Sequence, residues 1–205
     1  MPVSTNKHNK KLRHNKTKRT SNKKVFKKKD FYSGDGFMTS IWGPPQWHML
    51  HTISFNYPTE PTLKEQINYR NYILSLQNVL PCKFCRKNLR TNLKQLPLTM
   101  ADMKNRNTFS RYIYELHELV NKMLHKKSAL TYCDVRERYE HFRSRCTTET
   151  PTIFKFSKLK RSKKREQGCT EPLYGKKARC ILNIVPQENK GQSIQIHDKC
   201  IKRLS

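Results

Sequence analysis

Apolar side chains recur at helical spacing in four stretches of this chain and in a shorter fifth one. The second stretch has such positions at Tyr69, Tyr72, Ile73, Leu76 and Leu80. The clearest stripe lies on the fourth stretch: Phe109, Tyr112, Ile113, Leu116, Val120 and Met123. Positions three and four apart share one face of an α-helix. The pattern therefore predicts an all-α fold, a four-helix bundle with a short fifth helix.

Prolines mark the predicted helix ends. Pro44 and Pro45 fit the turn before the first helix, and Pro58 fits its end. Pro81 separates the second helix from the third, which would run to about Leu96. The fifth helix is short, with apolar positions at Val135, Tyr139, Phe142 and Cys146.

Composition divides the chain into one domain and two flanks. The net charge of +28 over 205 residues is too high for one uniform compact core. We expect a basic disordered tail over residues 1–36, an ordered domain over 37–147, and a basic, largely irregular extension over 148–205. The tails suit contact with nucleic acid or an anionic surface, and equally suit a solubilising role, because composition carries no specificity.

Targeting signals and cysteine usage bear on the compartment. No run of about 18 apolar residues occurs, and the first residues lack the apolar block of a secretory signal. We therefore expect the chain to stay on the cytosolic side. Seven cysteines are an odd count, and in a reducing compartment they favour redox or metal roles over a structural disulfide framework.

The central chemical motif is Cys82-Lys83-Phe84-Cys85. Two thiols at this spacing can close a small disulfide ring or hold two corners of a metal site. Pro81 predicts a helix start here, where unpaired backbone amides and the helix dipole stabilise a thiolate at Cys82. Nearby cations act in the same direction: Lys83, Arg86 and Lys87. We therefore predict a Cys82 pKa below the usual ~8.5 and a nucleophilic thiolate at neutral pH.

Polar side chains flank two of the apolar stripes. His51 lies one turn after Trp47 on the first helix, and His117 and Asn121 are one turn apart on the fourth. Each alone is more readily a satisfied or exposed polar residue than a ligand group. Together with the dithiol they predict a slot between helices with flat aromatic walls, which suits a planar cofactor.

The order of these motifs resembles the Erv/ALR family of FAD-linked sulfhydryl oxidases, and most closely the members encoded by giant DNA viruses. A single CxxC would be unspecific, but the ordered set is specific, and it covers about residues 41–146. The motifs are Trp42-Gly43-Pro44-Pro45-Gln46-Trp47 with Leu50-His51, Tyr57-Pro58, Cys82-Lys83-Phe84-Cys85, the stretch from His117 to Lys126, and that from Tyr132 to Tyr139.

The resemblance implies a helical bundle, usually a homodimer, that holds FAD beside the CxxC. It makes Cys82 and Cys85 catalytic, with substrate thiolates attacking at Cys82 and Cys85 passing the electron pair to the flavin. Dioxygen then becomes hydrogen peroxide. No bound metal is expected. The implied FAD contacts are Trp47, His51, Tyr57, His117, Val120, Asn121, Leu124, Lys126, Arg138 and Tyr139.

Two positions depart from the family pattern. Glu118 stands where the family often has Asn, which puts one polar cofactor contact in doubt. Tyr114 occupies the position of a cysteine that in many members pairs with one in the following loop, so Cys133 lacks its usual partner and no such disulfide is expected. The viral resemblance also implies protein thiols as substrates, disulfide formation in viral proteins at the virus factory in host cytoplasm, and allows packaging in the virion.

The cysteines of the C-terminal extension leave several interpretations open. Cys169 and Cys180 could form a shuttle pair, as in related oxidases, while Cys200 has no obvious partner. A local structural disulfide, idle thiols, and a zinc site with His197 are the alternatives. Residues 180–185 have the composition of a short strand.

Two other classes of function compete with the oxidase. A zinc-stabilised basic nucleic-acid-binding protein would use the CxxC as metal ligands, but a second closely spaced Cys/His pair is missing from the sequence. A flavin-free thiol–disulfide exchanger would normally carry its CxxC on a βαβ unit, and the ordered part shows no strand pattern.

Overall fold

The computed structural model describes residues 27–34, 36–147, 168–173, 179–185 and 197. The predicted disorder of residues 1–26 and the role of Cys200 lie outside the described residues. One of the two units of the chain contains the one-turn helix α1 (Lys28–Phe31). The other unit contains a bundle of helices: α2 (Thr39–Phe55), α3 (Leu63–Val79), α4 (Lys83–Gln95), α5 (Arg106–Met123) and α6 (Tyr132–Glu140). Helices α2 to α5, with the shorter α6, confirm the predicted four-helix bundle and its fifth helix.

Local capping explains where the later helices begin. The Thr62 hydroxyl accepts a hydrogen bond from the backbone N–H of Glu65, and the Glu65 carboxylate accepts one from the backbone N–H of Thr62. The same reciprocal pairing starts α6, between Thr131 and Asp134. At α5 the partners of this kind are Asn105 and Thr108. Each cap satisfies backbone donors that a helix start leaves unpaired.

The predicted start of the first helix is wrong. Helix α2 begins at Thr39, so Pro44 and Pro45 lie inside it rather than in a turn before it. A proline inside a helix removes a backbone donor, and these two follow directly on the first turn. The start is anchored instead by the Trp42 indole, which donates to the Phe37 carbonyl at 3.1 Å.

Three further expectations are corrected in the flanks. Disorder throughout 1–36 is wrong at Lys28–Phe31, a one-turn helix in which the Asp30 carboxylate accepts from the Lys27 backbone N–H. The fifth helix stops at Glu140, and Cys146 belongs to strand β1 (Ser144–Thr147), which pairs antiparallel with β2 (Gly168–Pro172). The residues from Cys180 to Val185 form no strand.

The C-terminal cysteines differ in state. Cys169, on β2, is disulfide-bonded, whereas Cys180 is an exposed free thiol. These two are therefore not joined to each other as a shuttle pair in this structure.

The main core lies between α2, α3, α4 and α5. Its buried members are Leu50, Tyr57, Ile73, Leu76, Leu89, Leu98, Met103, Phe109, Tyr112, Ile113 and Leu116. The α5 stripe is buried only as far as Leu116, while Val120 is half-buried and Met123 is exposed. A second cluster joins Phe55 to the apolar face of α6. The last turn of α5 thus emerges from the core with apolar surface uncovered. No described helix is both long and apolar enough to cross a membrane.

Candidate active site

Cys82 is the N-cap residue of α4, which confirms the predicted helix start at this position. Its backbone is extended, with φ −153° and ψ 120°, and its sulfur accepts a hydrogen bond from the backbone N–H of Cys85 at 3.2 Å. Pro81 shapes this approach because its ring restricts the backbone of the residue that precedes the cap. Both thiols are free and partly exposed, so the pair is open to exchange.

The two sulfurs have opposite pKa shifts. Burial acts to raise the pKa of Cys82, but hydrogen bonds from the Cys85 side chain and backbone, from Thr39 and from the Phe84 backbone outweigh it and lower that pKa. Burial raises the pKa of Cys85, aided by the hydrogen bond and charge of Cys82 and opposed by Thr39. The predicted direction at Cys82 is confirmed, and so is the predicted contribution of backbone amides at the helix start, but the neighbouring cations are not among the causes.

A segment that leads into the first residue of α2, here called the strap (residues 36–39), lies across the dithiol and was not predicted from the sequence. Gly36 forms an isolated antiparallel bridge with Cys82, and the Phe37 N–H donates to the Pro81 carbonyl at 2.8 Å. Thr39 Oγ1 lies 3.7 Å from Cys85 Sγ, within hydrogen-bond reach of sulfur. The only local signal was a glycine just before an aromatic residue, and nothing in it identifies the partner.

Four predicted cofactor residues meet in an aromatic cluster formed by Trp47, His51, His117, Tyr139 and Phe55. Trp47 and His117 stack with ring centroids 4.0 Å apart and planes 7° apart. His51 Nε2 lies 3.0 Å from His117 Nδ1, and the Tyr139 ring lies 5.2 Å from that of His51. Helices α2, α5 and α6 therefore each contribute to one cluster. Sequence reasoning missed Phe55 and also His48, whose Nδ1 lies 3.2 Å from the Tyr139 hydroxyl.

The predicted slot with flat aromatic walls does not lie between the Trp47 and His117 rings, because these two rings are in contact. Carbon atoms in contact are about 3.5–4.0 Å apart, so a planar group inserted between two rings needs about 7 Å between them. The centroids of the two rings are only 4.0 Å apart, so the rings touch and leave no gap for a planar group. A planar ligand would have to lie against an outer face of the cluster.

Both imidazoles of the cluster are held neutral. Burial, with the charges of His117 and His48, lowers the pKa of His51 to about 3. Burial and the charge of Lys126 lower the pKa of His117 to about 4. His51 is only 4% exposed, yet its Nδ1 has no hydrogen-bond partner among the described residues. An orphaned polar atom in such a place costs free energy unless a ligand or water satisfies it.

The remaining predicted contacts lie at the emerging end of α5 and beside it. His117, Val120, Asn121 and Leu124 follow helical spacing, and the Asn121 amide donates to Glu118 Oε1 at 3.0 Å. The residue that departs from the family pattern is thus hydrogen-bonded to a predicted cofactor contact. Lys126 is exposed and Arg138 is half-buried. These residues could meet the polar parts of a large ligand.

Tyr57 is separate from the aromatic cluster. It is fully buried in the main core, and its hydroxyl donates to the Met103 carbonyl at 2.8 Å. Its ring makes edge contacts with Tyr69 and Phe109. The Tyr57 hydroxyl therefore already has a hydrogen-bond partner within the protein. A contact between Tyr57 and the cofactor stays a prediction.

A sequence model of the Erv1 / Alr family matches residues 44–149, the part that holds both the dithiol and the aromatic cluster. The chain belongs to the Erv1/Alr family. It is similar to "Probable FAD-linked sulfhydryl oxidase R368" of Acanthamoeba polyphaga mimivirus, with 32% identity over 48% of this chain and 68% of that protein. An FAD-linked sulfhydryl oxidase of African swine fever virus is 31% identical over 48% of this chain and 80% of its own length.

Cellular relatives of this Erv1/Alr chain are also found. The mitochondrial FAD-linked sulfhydryl oxidase ERV1 of Saccharomyces cerevisiae is 25% identical over 41% of this chain and 43% of its own. Among solved structures, the yeast Erv1 core aligns with a TM-score of 0.46 at 20% identity, covering 59% of this chain and 95% of that one.

Proposed function

We propose that this protein is an FAD-dependent sulfhydryl oxidase that joins protein thiols as disulfides and reduces dioxygen to hydrogen peroxide. The observation that carries the proposal is the Cys82–Cys85 pair at the head of α4, where hydrogen bonds lower the pKa of Cys82. A dithiol of this polarity can exchange with substrate thiols. The viral relatives named FAD-linked sulfhydryl oxidases support the same reaction.

FAD would be held by the aromatic cluster and the emerging end of α5. His51 Nδ1 offers an unsatisfied buried polar atom, and the outer ring faces offer flat apolar surface. Lys126 and Arg138 supply positive charge suited to a pyrophosphate. The residues we propose for contact with FAD are Trp47, His51, Tyr57, His117, Val120, Asn121, Leu124, Lys126, Arg138 and Tyr139.

The chain's own cysteines carry out the thiol–disulfide steps. A substrate thiolate attacks Cys82 of the Cys82–Cys85 disulfide, a mixed disulfide forms, and Cys85 leaves as a thiolate. The substrate's second thiolate then attacks the substrate sulfur of that mixed disulfide and releases Cys82. The substrate leaves oxidised, and the two electrons remain in the reduced pair. When bound, FAD supplies the transfer of this electron pair to dioxygen.

The resemblance to viral members extends the proposal to a place and to partners. Protein thiols would be the substrates, viral proteins made at the virus factory in host cytoplasm the natural ones, and the virion a second location. A homodimer would be the working form, which light scattering of the purified protein tests. Contacts of the basic tails with nucleic acid or anionic surfaces concern mainly residues outside the described ranges.

The test of function uses colour and oxygen uptake. Purified protein should be yellow, with a flavin spectrum, and should consume oxygen with dithiothreitol. Cys82→Ala and Cys85→Ser should each abolish uptake while keeping the colour, whereas Cys133→Ser, at an exposed free thiol outside the pair, should keep both. A colourless protein that FAD cannot reconstitute would refute the proposal. Bound zinc would then favour the nucleic-acid-binding alternative, although no three metal-ligating side chains converge among the described residues.

A further inference from the structure

One exposed groove runs along the first two turns of α4, and its lining includes both residues that separate the two cysteines, Lys83 and Phe84. It has a volume of about 400 Å³, and its lining residues are Lys83, Phe84, Arg86, Lys87 and Arg90. The whole helix, Lys83–Gln95, contains no acidic residue. Cys82 is the residue immediately before it. The groove, which we call the basic groove, therefore presents cations beside the sulfur that meets substrate.

The cations of the basic groove are held in place but not neutralised. Arg86 donates to the Leu80 carbonyl, and Arg90 donates to Asn78 Oδ1 at 3.0 Å, so both bind neutral acceptors. Lys83 and Lys87 are exposed. Within the described part of the chain, the one ion pair joins Arg143 to Glu140, away from this helix. Four positive charges, three of them exposed and that of Arg86 half-buried, thus line the groove with no carboxylate partner from the residues that the structure describes.

An aromatic side chain accompanies these charges. Phe84 lies between the two cysteines in sequence and is 73% exposed. A large apolar side chain left in water beside a reactive sulfur gains free energy when a bound partner covers it. Aromatic residues and arginine are also enriched at protein–protein interfaces.

We propose that the basic groove docks an acidic segment of the substrate protein, with carboxylates on the cations and an apolar residue on Phe84, next to the cysteine that reacts. This inference rests on the proposed oxidase function and names its substrate class. Charge complementarity carries the choice of occupant. A second copy of this chain, or its own tails, is disfavoured because the net charge of the chain is +28.

Nucleic acid is the competing polyanion for a basic surface with an exposed aromatic residue. The position of the groove favours a peptide over nucleic acid. Two of its lining residues, Lys83 and Phe84, separate the two cysteines, so an occupant without a thiol would bind next to the redox pair without taking part in the exchange. A carboxylate-bearing peptide, in contrast, brings its own cysteine to the place where the pair can react.

Three reduced dithiol peptides test the inference. They share one reactive core and differ in its flanking residues, which are Asp and Glu in the first peptide, Ser in the second and Lys in the third. At low ionic strength the holoenzyme should oxidise the acidic peptide with a kcat/KM at least about fivefold above that of the Ser peptide. The Lys peptide should be the poorest substrate. The preference should shrink at about 0.5 M salt, because the Debye length falls well below its ~10 Å at 0.1 M.

Charge reversal locates the preference. Lys87→Glu with Arg90→Glu should lower the acidic-to-Ser ratio of kcat/KM about fivefold or more. The milder Lys87→Gln should lower it in the same direction. The matched control is Lys64→Glu with Lys104→Glu, two exposed lysines off the groove. Lys64 lies roughly 22 Å along α3 from the helix end that precedes the cysteines. The control should keep the wild-type ratio.

The outcomes separate the two proposals. Loss of flavin or of dithiothreitol oxidation in the wild type would refute the oxidase function itself. Normal dithiothreitol oxidation with equal kcat/KM for the three peptides would overturn only the docking inference. The docking inference would also be overturned if a 20-nucleotide single-stranded DNA binds the wild type, binds Lys87→Glu with Arg90→Glu more weakly, and no peptide preference exists. In that case the groove is a nucleic-acid contact.

Discussion

Gly36 gives the sharpest test of how the redox pair is held. Its φ is 103°, a region that L residues other than glycine rarely adopt. A Cβ added there would lie 2.3 Å from the Pro81 carbonyl oxygen and 3.1 Å from Cys82 Cα. Ordinary C···O contacts are about 3.3 Å or more, so the overlap is about 1 Å. Both obstacles are backbone, so no side-chain rotation relieves Gly36→Ala.

The expected cost follows from the two ways in which the chain could respond. Keeping the backbone at positive φ costs an L residue about 1–2 kcal/mol, before any overlap is counted. Opening the bridge instead loses the 2.8 Å hydrogen bond from Phe37 to Pro81, about 1 kcal/mol. The bridge should therefore open. We expect the unfolding free energy of Gly36→Ala to fall by about 1–3 kcal/mol.

Urea unfolding of the reduced protein, followed by far-UV circular dichroism, measures that loss. The rate of Cys82 alkylation by iodoacetamide, resolved by peptide mass spectrometry, should rise because the strap no longer crosses the N-cap. Gly34→Ala is the matched control, since a Cβ there meets none of the described residues within 4 Å. Equal stability and equal alkylation rates in the two variants would refute the bridge as the element that holds Cys82.

Three further predictions concern single side chains. Thr39→Val should raise the pKa of both cysteines, because the Thr39 hydroxyl lowers each, and should move the alkylation profile of Cys85 to higher pH. The depressed pKa values of His51 and His117 mean that stability is full above the unfolded pKa of 6.5 and falls as the pH drops. For each of the two imidazoles, the unfolding free energy of the protein should fall by about 2 kcal/mol between pH 7.5 and 5, as measured by urea unfolding. Tyr57→Phe should cost about 1–3 kcal/mol in thermal unfolding, because a buried carbonyl loses its donor.

Each of these has a control that isolates its cause. Thr39→Ser keeps the hydroxyl and should keep the wild-type alkylation profile, so an equal shift in both variants would exclude the hydrogen bond. His117→Phe keeps a ring on Trp47 but cannot titrate, and its stability should depend less on pH between 7.5 and 5. An unchanged slope would contradict the neutral pair. Tyr57→Phe should leave the alkylation of Cys82 unaltered, because Tyr57 lies in the core.

The helices were predictable where their signals are local. The α5 stripe through Phe109 and Leu116 is a periodicity within one segment, and Pro81 acts on its immediate neighbour. The start of α2 was not predictable in this way. Proline preferences describe an average helix, whereas α2 is anchored by Trp42 reaching back to the Phe37 carbonyl. The helix therefore begins five residues ahead of Pro44, beside a side-chain hydrogen bond that proline preferences do not describe.

The features of the site were likewise predictable only where their signals are local in sequence. The position of Cys82 at the start of α4 follows from its neighbour Pro81, and the sequence predicted that helix start. The contact of Thr39 with Cys85 spans 46 residues, and a threonine in a helix start carries no mark of its partner. The Trp47–His117 stack was equally out of reach, because whether two rings touch or leave a slot depends on the side-chain torsions of two different helices.

The opposite pKa shifts of the two sulfurs pose a question for the exchange step, because attack at Cys82 expels Cys85, and a thiol with a raised pKa leaves slowly. Two of the influences that raise the pKa of Cys85 come from Cys82 itself, its hydrogen bond and its charge. Both vanish once Cys82 is joined to a substrate sulfur. Burial then opposes only the hydrogen bonds of Thr39 and of the Cys85 backbone, so the mixed disulfide should make Cys85 a better leaving group than it is beside a free Cys82 thiolate. The polarity of the pair therefore depends on its covalent state, and Thr39 should matter most at the moment of expulsion. Thr39→Val should slow mixed-disulfide formation with a model thiol by more than it slows alkylation of the reduced pair at the same pH, and an equal slowing of both would refute this assignment.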